Sequence, residues 1–405
     1  MKKLFLFAIG GLVAFSASAQ ADAVKKANGM AGKLDKIEEA RAVIKEAMAN
    51  PETAEDAETY FVAGEIEWKA YDKQAAKQAV NPEAVNNLEM ADQLVNGYDY
   101  FMQVFPLDVK PDAKGKNYRF TKKVQKQIKE KIGDFWNAAI NYYNADKQYP
   151  QAYKAFMIYG DIPGLEELGK EAPIVPDSVR ATSYYNAGTV AYTVNANDDA
   201  ARAFKKAREN NYGDSKVYLF EIASWEKIQM ADSTRLDEAR KNIFEISKDG
   251  WEKYGMQQSI LLKSMVTALV DEEKITEALD LLNESLEKYP NEAFILGLRG
   301  YTYDRTGNDE ASEADYRKAA AMDNADFETL RLAASKLLRT GRDKWNEINI
   351  GDEDILKEKN DVRNNYFHPA KEIAEKAKKL AGDDQASNDM IDTVLENIDY
   401  LLSLR

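Results

Sequence analysis

Apolar positions in this chain fall three and four apart over long stretches, the spacing of one face of an α-helix. Alternating runs of β-branched residues, the mark of strands, are scarce. The helical stripes also repeat. Val266, Ala278, Leu282, Ser285 and Pro290 are each followed 34 positions later, by Gly300, Ser312, Tyr316, Ala319 and Asn324. The same small residue, then +12, +4 and +3, appears at Gly188, Ala200, Phe204 and Ala207. Such a period predicts a helix–turn–helix unit that buries its stripe only by stacking on its neighbours.

The best-preserved unit reads Tyr184-Tyr185-Asn186-Ala187-Gly188, then Ala191-Tyr192, then Ala200, Phe204 and Ala207. Small residues let the two helices approach, Phe204 fills the space between them, and Asn195 to Asp199 supplies turn and cap chemistry. Residue by residue this resembles the tetratricopeptide repeat (TPR) family. The arrangement as a whole is similar to exported TPR proteins of Gram-negative bacteria. The resemblance implies an all-α fold, a right-handed superhelical solenoid of TPR-type antiparallel helix hairpins with a C-terminal capping helix.

Weaker units flank the regular ones. Ala40, Ile44 and Ala47 read as a second helix before Asn50-Pro51, and Tyr60 to Gly64 as the next first helix. Residues 85–131 are expected to hold a degenerate unit interrupted by a loop from Pro106 to Lys116. Phe135 to Ala139 leads to Ala152 and Phe156 as a further unit, and an insertion is expected near Met230 to Thr234. Past Leu330 a charged insertion, Asn346 to Asp361, precedes Ala370, Ala374 and Ala377. A half-polar helix with Ile391, Val394, Leu395, Ile398, Leu401 and Leu402 on one stripe then caps the stack. The expected division is a leader at 1–19, divergent units at 20–160, a linker at 161–176, regular units at 177–326, and a divergent unit with its cap at 327–405.

Composition narrows the chemistry. Lys2 and Lys3, an apolar run from Leu4 to Phe15 and the triplet Ala17-Ser18-Ala19 match a secretory signal peptide, with Gln20 as the expected mature N-terminus. The expected location is the periplasm, with outer-membrane association or secretion as alternatives. A formal net charge of −14 argues against nucleic acid, which needs a basic stripe. Cysteine is absent, so no disulfide, thiolate metal site or lipid-anchoring cysteine is encoded. His368 is the only histidine, too few for a usual zinc site or a Ser-His-Asp relay. Asn195, Asn197 and Asp199 have the spacing of a calcium loop, but its glycine is replaced by Ala200 and its closing glutamate by Lys206. No phosphate-cradling glycine motif occurs. The expectation is a non-enzyme without cofactor or metal, binding a protein or peptide segment of the cell envelope in a groove. The alternative is a glycan-capture protein of the envelope.

Candidate binding residues come from one pattern. Three first helices carry aromatics three residues before and four after their small landmark: Phe61 and Trp68 around Gly64, Trp136 and Tyr143 around Ala139, Tyr185 and Tyr192 around Gly188. The equivalents further on are Leu219/Glu226, Lys263/Val270 and Gly297/Asp304, so the stripe stops. Seven residues is about two helical turns, which puts each pair along one face. Such a face is a groove wall with aromatic anchors or a packing surface against the next repeat. In the groove reading, Tyr301 and Arg305 stand at a more polar C-terminal end.

Overall fold

The computed structural model describes residues 22–111, 114–145, 148–348 and 354–404. The expected leader and the cleavage position before Gln20 lie outside the described residues, as do parts of the expected loop from Pro106 to Lys116 and of the expected insertion from Asn346 to Asp361. Among the described residues there is no strand. The chain forms two compact units, Met1–Asp232 and Ser233–Arg405.

The first unit contains α1 (22–30), α2 (Ile37–Ala49), α3 (Ala57–Val80), α4 (Asn87–Leu107), α5 (Thr121–Asn144), α6 (Tyr149–Asp161), α7 (Asp177–Thr193), α8 (Asn197–Glu209) and α9 (Lys216–Ala231). From α2 onward each helix packs against the next, and where the turn between them is short the neighbours are antiparallel. The second unit contains α10 (Leu236–Tyr254), α11 (Ser259–Asp271), α12 (Ile275–Lys288), α13 (Ala293–Arg305), α14 (Asp309–Ala320), α15 (Phe327–Glu347), α16 (Ile355–Val362), α17 (His368–Ala381) and α18 (Gln385–Ser403). Here α10 to α15 pack in order, α15 on α17, and α17 on α18. Ile391 and Ile398 of α18 are fully buried, with Val394, Leu395 and Leu402 against the same core, as a capping helix requires.

The 34-residue landmarks are the core. Ala278, Leu282, Ser285, Ser312, Tyr316 and Ala319 are all buried. Seven residues after each landmark, the hairpin turn places one residue in the left-handed region: Asn195 at φ 58°, Glu273 at φ 60° and Gly307 at φ 72°. The residue after it then donates its N–H back to the last helical turn, Ala196 to Ala191, Lys274 to Leu269 and Asn308 to Tyr303. These bonds satisfy carbonyls that a helix end leaves open.

Aromatic rings lie directly on glycines where helices cross. Phe204 of α8 covers Gly188 of α7, and Tyr316 of α14 covers Gly300 of α13. In the α3/α4 hairpin the arrangement is reciprocal: Phe101 covers Gly64 while Trp68 covers Gly97. The Trp68 Nε1–H also donates to the Leu94 carbonyl at 2.9 Å, so the buried indole leaves no unpaired donor.

Two regions differ from expectation. Residues 85–131 are not one interrupted unit. Helix α4 runs on to Leu107, one residue past Pro106, as the partner of α3, and the next hairpin begins with α5 at Thr121. The join between them is set by Asp108, whose buried carboxylate accepts from the Arg119, Phe120 and Thr121 backbone N–H groups and the Thr121 hydroxyl. One side chain thus caps the helix thirteen residues away. The stretch expected as a linker, 161–176, is a packed connection inside the first unit. Ile162 and Leu168 are fully buried in it. Across it Tyr184 of α7 covers Gly160 of α6, and the Ser183 hydroxyl donates to the Phe156 carbonyl at 2.7 Å.

Buried charges are tied to opposite charges on other helices. Arg208 of α8 donates through Nε and Nη2 to Glu221 of α9 at 2.7 and 3.2 Å, where the Glu221 side chain is 2% exposed. In the second unit Lys336 of α15, equally buried, meets Asp304 of α13 and Asp309 of α14.

Two predictions follow from these contacts. Gly97→Ala puts a Cβ 2.1 Å from Trp68 Cδ1, and overpacking of this kind costs about 1–3 kcal/mol. It is read as a lower urea midpoint, and an unchanged midpoint would remove the glycine contact from the account. Arg208→Met strands the Glu221 carboxylate, at a cost of about 3–5 kcal/mol near neutral pH. Burial raises the Glu221 carboxyl above its ordinary 4.5, with Arg208 pulling it back down. The folded state therefore holds that proton more tightly than the unfolded chain, and stability rises as pH falls from neutral through the raised value. Urea melts between neutral and mildly acidic pH are expected to show the Arg208→Met deficit shrinking.

Candidate functional site

Helix α7 is held from both sides, and this decides where its tyrosines point. Tyr184, which looks back to α6, sets its ring on Gly160 and donates its hydroxyl to Asp161 at 2.7 Å. Phe204 rests on Gly188 from α8. With the rotation so fixed, Tyr185 faces forward to α9. Its ring stacks on Tyr212 with centroids 4.3 Å apart and meets Phe220 at 6.2 Å. Two turns on, Tyr192 meets Phe220 edge-on at 5.7 Å and carries the Lys227 ammonium 3.6 Å above its ring. Lys227 also donates to the Asn195 side chain at 3.1 Å. All four rings are half-buried. Burial raises the Tyr185 and Tyr212 hydroxyls, which keeps both neutral at physiological pH.

The other predicted site residues divide. Phe61 and Trp68 are buried, Trp68 to 1% exposure, and are corrected from groove wall to hairpin core. The cause is steric: glycine on α4 admits the indole, and the following residues close over Phe61. Phe61 stacks on Phe120 at 4.5 Å with Lys123 over its ring. Trp136 is half-buried and meets Phe156 and Tyr159 of its own second helix in T-shaped contacts, at 5.5 and 5.3 Å. Tyr143 is 48% exposed beside Tyr149. In the second unit Tyr301 packs on the core while Arg305 is exposed at the end of α13. Tyr185 and Tyr192 are thus the predicted pair that shares one partly open aromatic surface.

Between α3 and α5 the contacts are polar. Glu58, Glu65 and Asp72, seven residues apart on α3, meet Arg119, Lys123, Gln127 and Lys131. Burial alone would raise the Glu65 carboxyl, but hydrogen bonds from Lys69, Gln127 and Lys123 outweigh it and hold the group below its usual range. Further along the same two helices a cleft of about 480 Å³ opens, with Tyr71, Gln78, Met90, Asp134, Trp136 and Asn141 among its lining. Among the described residues no group of three His, Cys, Asp or Glu is placed to hold a metal. No helix there is long and apolar enough to cross a membrane.

The 34-residue register gave Leu219 and Glu226 as the α9 equivalents of Tyr185 and Tyr192, and the residues that meet α7 lie one position further on. Phe220 and Lys227 have the right spacing of seven. A search for an aromatic and a cation two turns apart on the following helix would have found them.

No family model matches this chain, and no curated protein does. Among solved structures it is similar to a TPR repeats protein from Bacteroides fragilis, at 17% identity and a TM-score of 0.32 over 67% of this chain and 97% of that one. It is similar to yeast Tom70 at 14% identity and a TM-score of 0.30, over 95% and 90% of the two chains. The TPR2AB domain of yeast Sti1, solved with an HSP90 peptide, matches at 12% identity and a TM-score of 0.26 over 82% and 98%. At these identities and TM-scores none of them carries an argument about what this chain binds. The all-α hairpin fold rests on the helices described above.

Proposed function

We propose that this protein is a non-catalytic scaffold of the cell envelope, exported to the periplasm, which binds a protein or peptide segment along the seam between α7 and α9. Export is supported by the leader pattern of residues 1–19. The observation that carries the binding site is the continuous surface of Tyr212, Tyr185, Phe220 and Tyr192 with Lys227 above its far end. Aromatic rings on rigid helices bury much area at little entropic cost, which makes them favoured anchors. The ammonium at one end gives the surface a direction, because a partner's carboxylate or carbonyl is drawn to that end.

A peptide library displayed on phage and selected on the full chain tests this. Selected peptides are expected to lose about tenfold or more in affinity for Tyr192→Ala and for Lys227→Ala, with the helical circular dichroism of both variants intact. Equal binding to wild type and to both variants would move the site elsewhere.

A further inference from the structure

The α3–α5 cleft is chemically unlike the aromatic seam. No lysine or arginine lines it, so it offers no cationic partner for a phosphate or carboxylate ligand. Its walls carry four carboxamides, Gln78, Asn87, Asn137 and Asn141, and the Asp134 carboxylate. Asn137 and Asn141 are one turn apart on α5, a rise of about 6 Å. Gln78 donates to the Asn87 oxygen at 2.7 Å; this leaves the Gln78 oxygen and the Asn87 amino group for a ligand. The small side chains Ala75, Ala91 and Ala138 line the same cleft.

A carboxamide both donates and accepts, and so does a hydroxyl. Vicinal hydroxyls on a ring therefore pair with such a wall at every position. An extended peptide would also present side chains at every second residue, and the wall offers neither a cation nor a deep apolar pocket to receive them. Trp136 and Ile140, on the same stretch of α5, supply apolar surface for the C–H face of a ring. A volume of about 480 Å³ falls within the range of small-molecule sites.

We infer that this cleft binds a neutral oligosaccharide, its hydroxyls paired with Asp134, Gln78, Asn87, Asn137 and Asn141 and a ring face against Trp136. Asp134 suits the acceptor role. Burial raises its carboxyl more than Lys131 and the Tyr71 hydroxyl lower it, and the half-buried group is held at the wall. The site is independent of the α7–α9 seam.

Isothermal titration of the full chain with maltohexaose, cellohexaose, xylohexaose, mannohexaose and chitohexaose tests the inference. Polygalacturonate and an uncharged alanine–serine peptide serve as the contrasting probes. At least one neutral oligosaccharide is expected to bind with a Kd below about 1 mM. The Asn137→Ala/Asn141→Ala variant is expected to weaken it about tenfold or more, and Trp136→Phe less. Tyr192→Ala should leave it unchanged, which separates this site from the seam. Asn137 is exposed and Asn141 half-buried, and circular dichroism confirms that the variants fold. Failure of every neutral oligosaccharide to bind at about 10 mM, equal binding by the double variant, or preference for polygalacturonate or the peptide would overturn the proposal.

Discussion

A ring lying on a glycine is the contact on which the rest of this molecule depends. Helices cross at 8–10 Å only where side chains permit, and a large ring fits into such a crossing only where the opposite residue has no Cβ. Gly188 under Phe204 and Gly160 under Tyr184 set the rotation of α7 as well as its distance from its neighbours. Once that rotation is fixed, Tyr185 and Tyr192 have no choice but to face α9. The candidate binding surface is thus a by-product of core sterics at Tyr184 and Gly188, within one helical turn of it.

The regular units were legible because their landmarks are the core itself. Small residue, alanine, large residue and alanine recur where helices touch, and the positive-φ residue follows seven positions later in all three regular hairpins. The α3/α4 hairpin was harder to read because it uses glycine on both helices and aromatics on both, which breaks the one-sided pattern. Pro106 looked like an interruption, yet it falls in the last turn, where the helix is already ending. What begins the next helix is Asp108, a capping carboxylate too distant in sequence for any local rule to pair with Thr121. The aromatic stripe was visible as a period of seven, but period alone does not say what covers a face. Burial separated Trp68 from Tyr192, and burial follows from the neighbouring helix.

Charge is divided in the same manner. The chain carries a net −14, yet the buried carboxylates Glu65, Glu67, Glu221 and Asp315 each meet a base on another helix, and buried Asp108 is held by backbone N–H groups. Acids on the solvated faces keep the stack soluble, while the paired ones stitch one helix to the next. The α3–α5 cleft stands apart from both groups. Its polar lining is almost wholly uncharged, so it discriminates by hydrogen-bond pattern and shape.

The reciprocal contacts of α3 and α4 have a mechanical meaning. Gly64 and Trp68 are one turn apart on one helix, and Gly97 and Phe101 one turn apart on the other, so the two rings interlock like pegs facing opposite ways. For α3 to slide along α4 in either direction, one ring must climb over a turn of backbone, and the next glycine is nowhere within a 5.4 Å step. Shear along the hairpin is therefore stiff, whereas lifting one helix off the other frees the rings in succession. Pulled from its ends, this hairpin is expected to peel open rather than slip.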